Sequence, residues 1–172
     1  MLKISGAILC LLGCAGFGIL KIMEWRMDVE HLTHWILLFQ KIASHIQYQK
    51  ETLEESCFRV GQKDRTFPAA VLKNIGLRAR KERENEFVQI WKEEMDAWCK
   101  ENMGNKEIEK HLLLFPEYVK EADEQLQTDF LVLYMEELQK EKKEMEQRIK
   151  EKQKPVMAVS LVVGAMISIL LI

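Results

Sequence analysis

The apolar residues of this chain change rhythm twice. Ile4–Leu20 (ISGAILCLLGCAGFGIL) and Val156–Ile172 (VMAVSLVVGAMISILLI) are unbroken runs of 17 residues without Asp, Glu, Lys or Arg. Between them the apolar positions thin out to one face of a helix at a time. In Trp25–Gln49 they fall at Val29, Leu32, Ile36, Phe39, Ile42/Ala43 and Ile46, steps of three and four that predict an amphipathic helix running out of the first apolar segment. Thr52-Leu53-Glu54-Glu55 carries the S/T-x-x-E capping-box pattern and predicts a second, short helix ending near Gly61. Asp64-Arg65-Thr66-Phe67-Pro68 predicts a turn, with proline at the opening of a third helix, Ala69–Lys81. A fourth helix is expected over Glu84–Met103, with Phe87, Ile90/Trp91, Met95 and Trp98/Cys99 inward and Gly104 as its stop. Lys106–Phe115 predicts a fifth, broken at Pro116. Asp123 is placed to cap the last, Glu124–Lys154, with a stripe of Leu126, Phe130, Leu133/Tyr134, Leu138, Met145 and Ile149. Alternating runs and NG or DG turns are absent, so no strand is expected.

Loops of a few residues make neighbouring helices antiparallel. The expected fold is therefore all-α: an antiparallel bundle of about six helices between an N-terminal and a C-terminal transmembrane helix. In numbers, an anchor is expected over 1–23, the bundle with a charged final stalk helix over 24–154, and a second anchor over 155–172. The stalk, KEKKEMEQRIKEKQK, carries i,i+4 charge pairs and too few heptads for a coiled coil.

Seventeen helical residues span about 26 Å, short for a hydrocarbon core of about 30 Å unless Lys3 and Lys21 snorkel to the interfaces. Leu11-Leu12-Gly13-Cys14 has the look of a lipoprotein cleavage site, but the apolar run continues through Phe17, Ile19, Leu20, Ile22 and Met23 where a polar tether is required. No A-x-A site with a polar sequel follows either, so the segment reads as a retained anchor. Lys150, Lys152 and Lys154 stand directly before the second run, which by the positive-inside rule puts the middle of the chain in the cytoplasm. Trp25 sits where an interfacial tryptophan belongs. Cys10 and Cys14 fall in the first apolar run, and Cys57 and Cys99 are isolated, which suits a reducing compartment.

A formal charge of −2 gives no electrostatic case for nucleic acid. No nucleotide loop, G-x-S-x-G elbow or H-E-x-x-H helix occurs, so neither a catalytic residue nor a cofactor is assigned. His31 and His34 can share a helix face, but a metal needs a third ligand and only Asp28 or Glu30 is near in sequence. His45 and His111 stand alone, and Cys57 reads as a small buried hydrophobe. Phe115-Pro116-Glu117-Tyr118 marks a bend with Tyr118 as a core candidate. The densest basic run, Arg78-Ala79-Arg80-Lys81-Glu82-Arg83, reads first as a solvated helix end and second as a docking patch (Arg78, Arg80, Lys81 and Arg83) for an acidic partner.

A start of MLK-x-x-GA leads into a short span, then a long helix with Ile46-Gln47-Tyr48 and Leu53-Glu54-Glu55. Asp123 and Gln127 form an Asp-x-x-x-Gln step at a late helix, before an apolar tail. In order and size these parts resemble the stage III sporulation protein AB family over essentially the whole chain. The matching positions are Ile46, Tyr48, Leu53, Asp123 and Gln127. The resemblance implies a bundle similar to the cytoplasmic domain of the type II secretion platform protein F. It also implies a place in the channel complex between mother cell and forespore, in the mother-cell membrane surrounding the forespore. Partners there would be a secretion-type ATPase, other forespore-channel membrane proteins and the lipid bilayer. One bundle, where the platform protein has two, points to self-association or partners. The expected role is a non-enzymatic adaptor. The rivals are a small membrane metal protein or enzyme using His31 and His34, and a holin-like protein whose function lies in its spans.

Overall fold

The computed structural model describes residues 2–81, 87–119 and 124–171, and every regular element among them is a helix. Six helices follow in order: α1 Leu2–Gln49, α2 Leu53–Lys63, α3 Ala69–Lys81, α4 Phe87–Asn102, α5 Lys106–Val119 and α6 Glu124–Leu171. The expected caps at Asp123 and the start at Glu84 lie outside the described residues. The chain divides into two compact units, Met1–Val29 with Lys143–Ile172, and Glu30–Lys142. The second unit begins six residues after, and ends twelve residues before, the bundle limits of 24 and 154 expected above.

Local chemistry explains most helix ends. The Thr52 hydroxyl accepts from the Glu55 backbone N–H at 3.3 Å, the capping-box bond that opens α2. Asp64 Oδ1 accepts from the Thr66 backbone N–H and hydroxyl at 2.8 and 2.6 Å, shaping the turn before α3. Asn105 Oδ1 takes the Glu107 N–H at 2.9 Å and caps α5. Helix α1 ends with Lys50 at φ 55°, the left-handed conformation that stops a helix and that glycine adopts more readily.

Three expected helix limits are corrected. Gly61 does not end α2, which continues to Lys63; Gly61 is buried, and a Cβ there would stand 2.3 Å from the Lys73 nitrogen. Its partner in this close approach is Gly76 of α3, where a Cβ would meet the Phe58 backbone nitrogen at 2.6 Å. The pair lets α2 and α3 pack backbone against backbone. Pro116 does not break α5, which runs on to Val119. Proline leaves the Leu112 carbonyl without its helical donor. The indole N–H of Trp91 in α4 donates to that carbonyl at 2.8 Å instead, so the helix crosses its proline with the orphaned acceptor satisfied. Pro155 likewise lies inside α6 rather than at its end.

Within Glu30–Lys142, α2 packs on α3, α3 on α4 and α4 on α5. An aromatic cluster fills the centre. Phe39 of α1 lies 4.6 Å from Phe115 and 5.3 Å from Tyr134, Phe115 lies 4.7 Å from Trp91, and Trp35 meets Trp98 edge-on at 5.3 Å. Ring pairs at these separations add about 0.5–1.5 kcal/mol beyond burial alone. The expected inward positions of α4 (Phe87, Ile90, Trp91, Met95, Trp98 and Cys99) are all buried.

Helix α6 departs from its expected stripe. Leu131, Tyr134, Met135, Leu138 and Met145 are buried, whereas Leu126, Phe130 and Leu133 are exposed. LVLYM presents apolar side chains on two adjacent faces, so spacing alone does not choose between them.

Within Met1–Val29 and Lys143–Ile172, the two ends of the chain run side by side and antiparallel. Gly18 approaches Ser160, where an added Cβ would lie 2.7 Å from the hydroxyl oxygen. Arg26 donates to Gln153 Oε1 at 3.5 Å. Among the described residues, one helix is long and apolar enough to cross a membrane, in the segment Leu126–Ile169 of α6. Several side chains of the first apolar run (positions 4, 5, 7, 8, 10 and 11) lie outside the description.

Candidate functional site

The basic run at the end of α3 is brought against acidic residues of the same chain. Arg78 is held by two carboxylates of α4, Nη2 to Glu93 Oε2 at 2.9 Å and Nη1 to Glu94 Oε1 at 3.0 Å. Arg80 donates from Nε to Glu55 Oε2 at 3.1 Å, and its guanidinium lies 3.8 Å from the centre of the Phe58 ring. Lys81 is exposed, and Arg83 lies outside the described residues.

Arg80 closes a longer line of charges. His45 Nδ1 lies 2.9 Å from Glu51 Oε2, Arg59 Nε lies 3.1 Å from Glu51 and 3.0 Å from Glu55, and Glu55 reaches Arg80. Hydrogen bonds from Arg80 and Arg59 hold the Glu55 carboxyl below its usual range, and Glu55 in turn raises Arg59. Gln89 and Arg78 lower Glu93 in the same way. The exposed pairs among these contribute little each. Together they tie the end of α1 to α2 and α3. Asp64 differs in being largely buried: Lys41 and the Thr66 hydroxyl hold its carboxyl down at about 2.

The other candidates are structural in their surroundings. His31 stacks edge-on against Trp98 at 5.4 Å and lies 6.4 Å from Phe67, while His34 is half-buried. Among the described residues no group of three or more His, Cys, Asp or Glu side chains is placed to hold a metal ion. Cys57 is fully buried, and burial with the nearby Glu54 charge pushes its thiol far up. Burial drives Cys99 to about 12. Burial disfavours the thiolate of both, the setting of a packed structural cysteine.

Of the family-matching positions, Ile46 and Leu53 are core residues, Gln127 is half-buried and Tyr48 is 76% exposed. Asp123 lies outside the described residues, as does the Tyr118 side chain. Sequence periodicity missed the apolar surface on α6. Leu126, Phe130 and Leu133 lie four and three residues apart on one side of the helix and are 48%, 40% and 61% exposed. The row is apolar surface that the packing of the described helices leaves facing water. The alternation of two apolar faces in LVLYM was the available signal.

The chain matches the family described as Stage III sporulation protein AB over residues 3–172. No curated protein and no solved structure matches it. The match extends over nearly the whole chain, which therefore belongs to that family of sporulation proteins.

Proposed function

We propose, from membership of the stage III sporulation protein AB family as the premise, that this chain is a non-enzymatic membrane adaptor of the channel complex between mother cell and forespore. Two spans, Ile4–Leu20 and Val156–Ile172, fix the helical bundle at the cytoplasmic face of the mother-cell membrane around the forespore. The bundle docks a secretion-type ATPase or a ring-forming membrane partner, which supplies the energy. The antiparallel pairing of Gly18 with Ser160 and Arg26 with Gln153 supports two spans that cross as a hairpin.

The observation that carries the adaptor reading is the exposed row Leu126, Phe130 and Leu133 on α6. Apolar side chains here gain about 25 cal/mol for each Å² that a partner removes from water. With Arg78 and Arg80 already held by Glu93, Glu94 and Glu55, this row displaces the basic run as the first docking surface.

The test is co-purification of the full chain from detergent-solubilised sporulating cells. The wild type is expected to bring down a secretion-type ATPase or channel-ring proteins. Phe130→Glu with Leu133→Glu is expected to lose them, whereas Arg80→Gln keeps them. Recovery of the chain alone, or normal sporulation after deletion, would overturn the adaptor reading.

A further inference from the structure

The paired ends of the chain enclose a groove of about 540 Å³, lined by Ile19, Ile22, Met23, Arg26, Lys154 and Met157, with Gln153 alongside. Its lining is sorted by depth. Apolar side chains lie toward the two apolar runs, and one cation from each helix, Arg26 and Lys154, lies at the opposite end. Arg26 is three residues beyond Met23, and Lys154 three before Met157, so the cations sit about 5 Å along each helix from the apolar lining.

Among the described residues these two cations lack the carboxylate partner that several others have. Lys41, Arg59, Arg78, Arg80 and Lys92 each pair with a carboxylate of this chain. Among the described residues Arg26 and Lys154 pair with none; the polar contact of Arg26 is the neutral amide of Gln153 at 3.5 Å. Two exposed positive charges thus border an apolar channel with no carboxylate of the described residues paired to either. At the level of a membrane interface, the anion with an apolar tail attached is a phospholipid headgroup. Arginine suits its phosphate because the guanidinium fork can take two oxygens at once.

We propose that this groove is a binding site for one anionic phospholipid, with the phosphate between Arg26 and Lys154 and an acyl chain along Ile19, Met23 and Met157. The inference rests on the two-span reading. It gives the adaptor a lipid-dependent seat: an anionic lipid bound across α1 and α6 joins the two ends of the chain where they leave the bilayer.

Trp25 reports on the groove, since it adjoins Arg26, whereas Trp35, Trp91 and Trp98 are buried in the bundle. The full-length protein is reconstituted into phosphatidylcholine vesicles carrying a minor fraction of brominated lipid, either phosphatidylglycerol or phosphatidylcholine. Brominated phosphatidylglycerol is expected to quench tryptophan emission more strongly than the same fraction of brominated phosphatidylcholine. Arg26→Gln with Lys154→Gln is expected to remove the preference, each cation accounting for roughly a fivefold change in apparent affinity. Lys150→Gln with Lys152→Gln, which alters the basic collar outside the groove, is expected to retain it.

Equal quenching by both lipids in the wild type would overturn the site. So would an equal loss in the Lys150/Lys152 variant, which would mean diffuse attraction to the collar. Removal of the preference by inorganic phosphate would mean a free-anion site and also overturn the lipid assignment. Vesicle flotation after alkaline extraction separates these outcomes from failure of the premise. If the protein does not float, the two-span reading falls and the lipid site with it. If it floats without a lipid preference, only the site falls.

Discussion

Large aliphatic side chains and glycines meet opposite surroundings in the two units. In Glu30–Lys142, Leu32, Phe39, Ile42, Leu72, Ile75 and Trp91 are removed from water, and Gly61 and Gly76 stand where a methyl group would strike backbone. In the unit formed by the chain ends, Leu9, Leu12, Phe17, Leu20, Val159 and Met166 are each more than 60% exposed, and Gly6, Gly13 and Gly16 have open space beside them. The first unit buries most of its large apolar side chains by packing on itself, with the row Leu126, Phe130 and Leu133 of α6 left exposed. The second leaves much of that surface facing outward. Glycine shows the difference most clearly: Gly61 and Gly76 are packing requirements in one unit, whereas Gly6, Gly13 and Gly16 are replaceable positions in the other, where Gly18 is crowded by Ser160.

The sharpest way to break this comparison is to add one methyl group to each kind of glycine. Gly61→Ala and Gly76→Ala should each destabilise the bundle by about 3 kcal/mol or more, because backbone rather than a movable side chain blocks the new Cβ. Gly13→Ala should be neutral or raise helix stability by up to about 1 kcal/mol. Thermal unfolding of the full chain in detergent, followed by near-ultraviolet circular dichroism of the buried tryptophans, measures both. Similar effects at Gly76 and Gly13 would dissolve the distinction.

A second test addresses how the bundle carries a proline inside α5. Trp91→Phe removes the donor to Leu112 and should cost about 1–3 kcal/mol in denaturant unfolding. Pro116→Ala supplies a backbone N–H to the same carbonyl. The cost of Trp91→Phe should therefore shrink when Pro116→Ala is present, a coupling that a double-mutant cycle measures directly. Additive costs would mean that the indole contributes only its bulk.

A smaller effect is expected at Asp64. Its carboxyl is held at about 2 by Lys41 and Thr66, below its ordinary 3.8, so the folded state favours the ionised form. The resulting stability is complete above pH of about 4 and is lost as pH falls toward about 2. It should amount to about 1 kcal/mol, since Lys41 is half exposed. Asp64→Asn should lack this increment, so wild type and variant should converge in stability as the pH falls through that window. Curves that stay parallel down to pH 2 would show that the carboxylate is not what Lys41 and Thr66 stabilise.

The smallest effect tests local backbone rather than packing. Lys50→Gly should stabilise the end of α1 by about 0.5–1 kcal/mol, because φ is 55° there and lysine tolerates it poorly. A loss on replacement would show that the lysine side chain outweighs its conformation.

Much of the fold was readable in residue order. The Thr52 cap, the limits of α3 at Ala69 and Lys81 and the inward face of α4 follow from local spacing, and the structure reproduces them. The candidate site was less readable. Arg78 to Arg83 forms a dense basic run in the sequence, but Glu55, Glu93 and Glu94, brought in from α2 and α4, occupy Arg78 and Arg80. The exposed row on α6 was hidden among residues that look equally fit for the core.

The sequence by itself determined the helical character of the chain, its two uncharged runs and charged middle, and the family to which it belongs. These properties depend on neighbours three or four residues away or on the order of parts along the chain. Tertiary structure decided what Gly61, Pro116 and the two faces of α6 became. Gly61 reads locally as a stop, but α3 approaches so closely that only glycine fits inside the helix. Pro116 reads locally as a break, but an indole from another helix satisfies the carbonyl that proline leaves unpaired. In both cases the deciding group is distant in sequence and close in space, so local periodicity could not supply it.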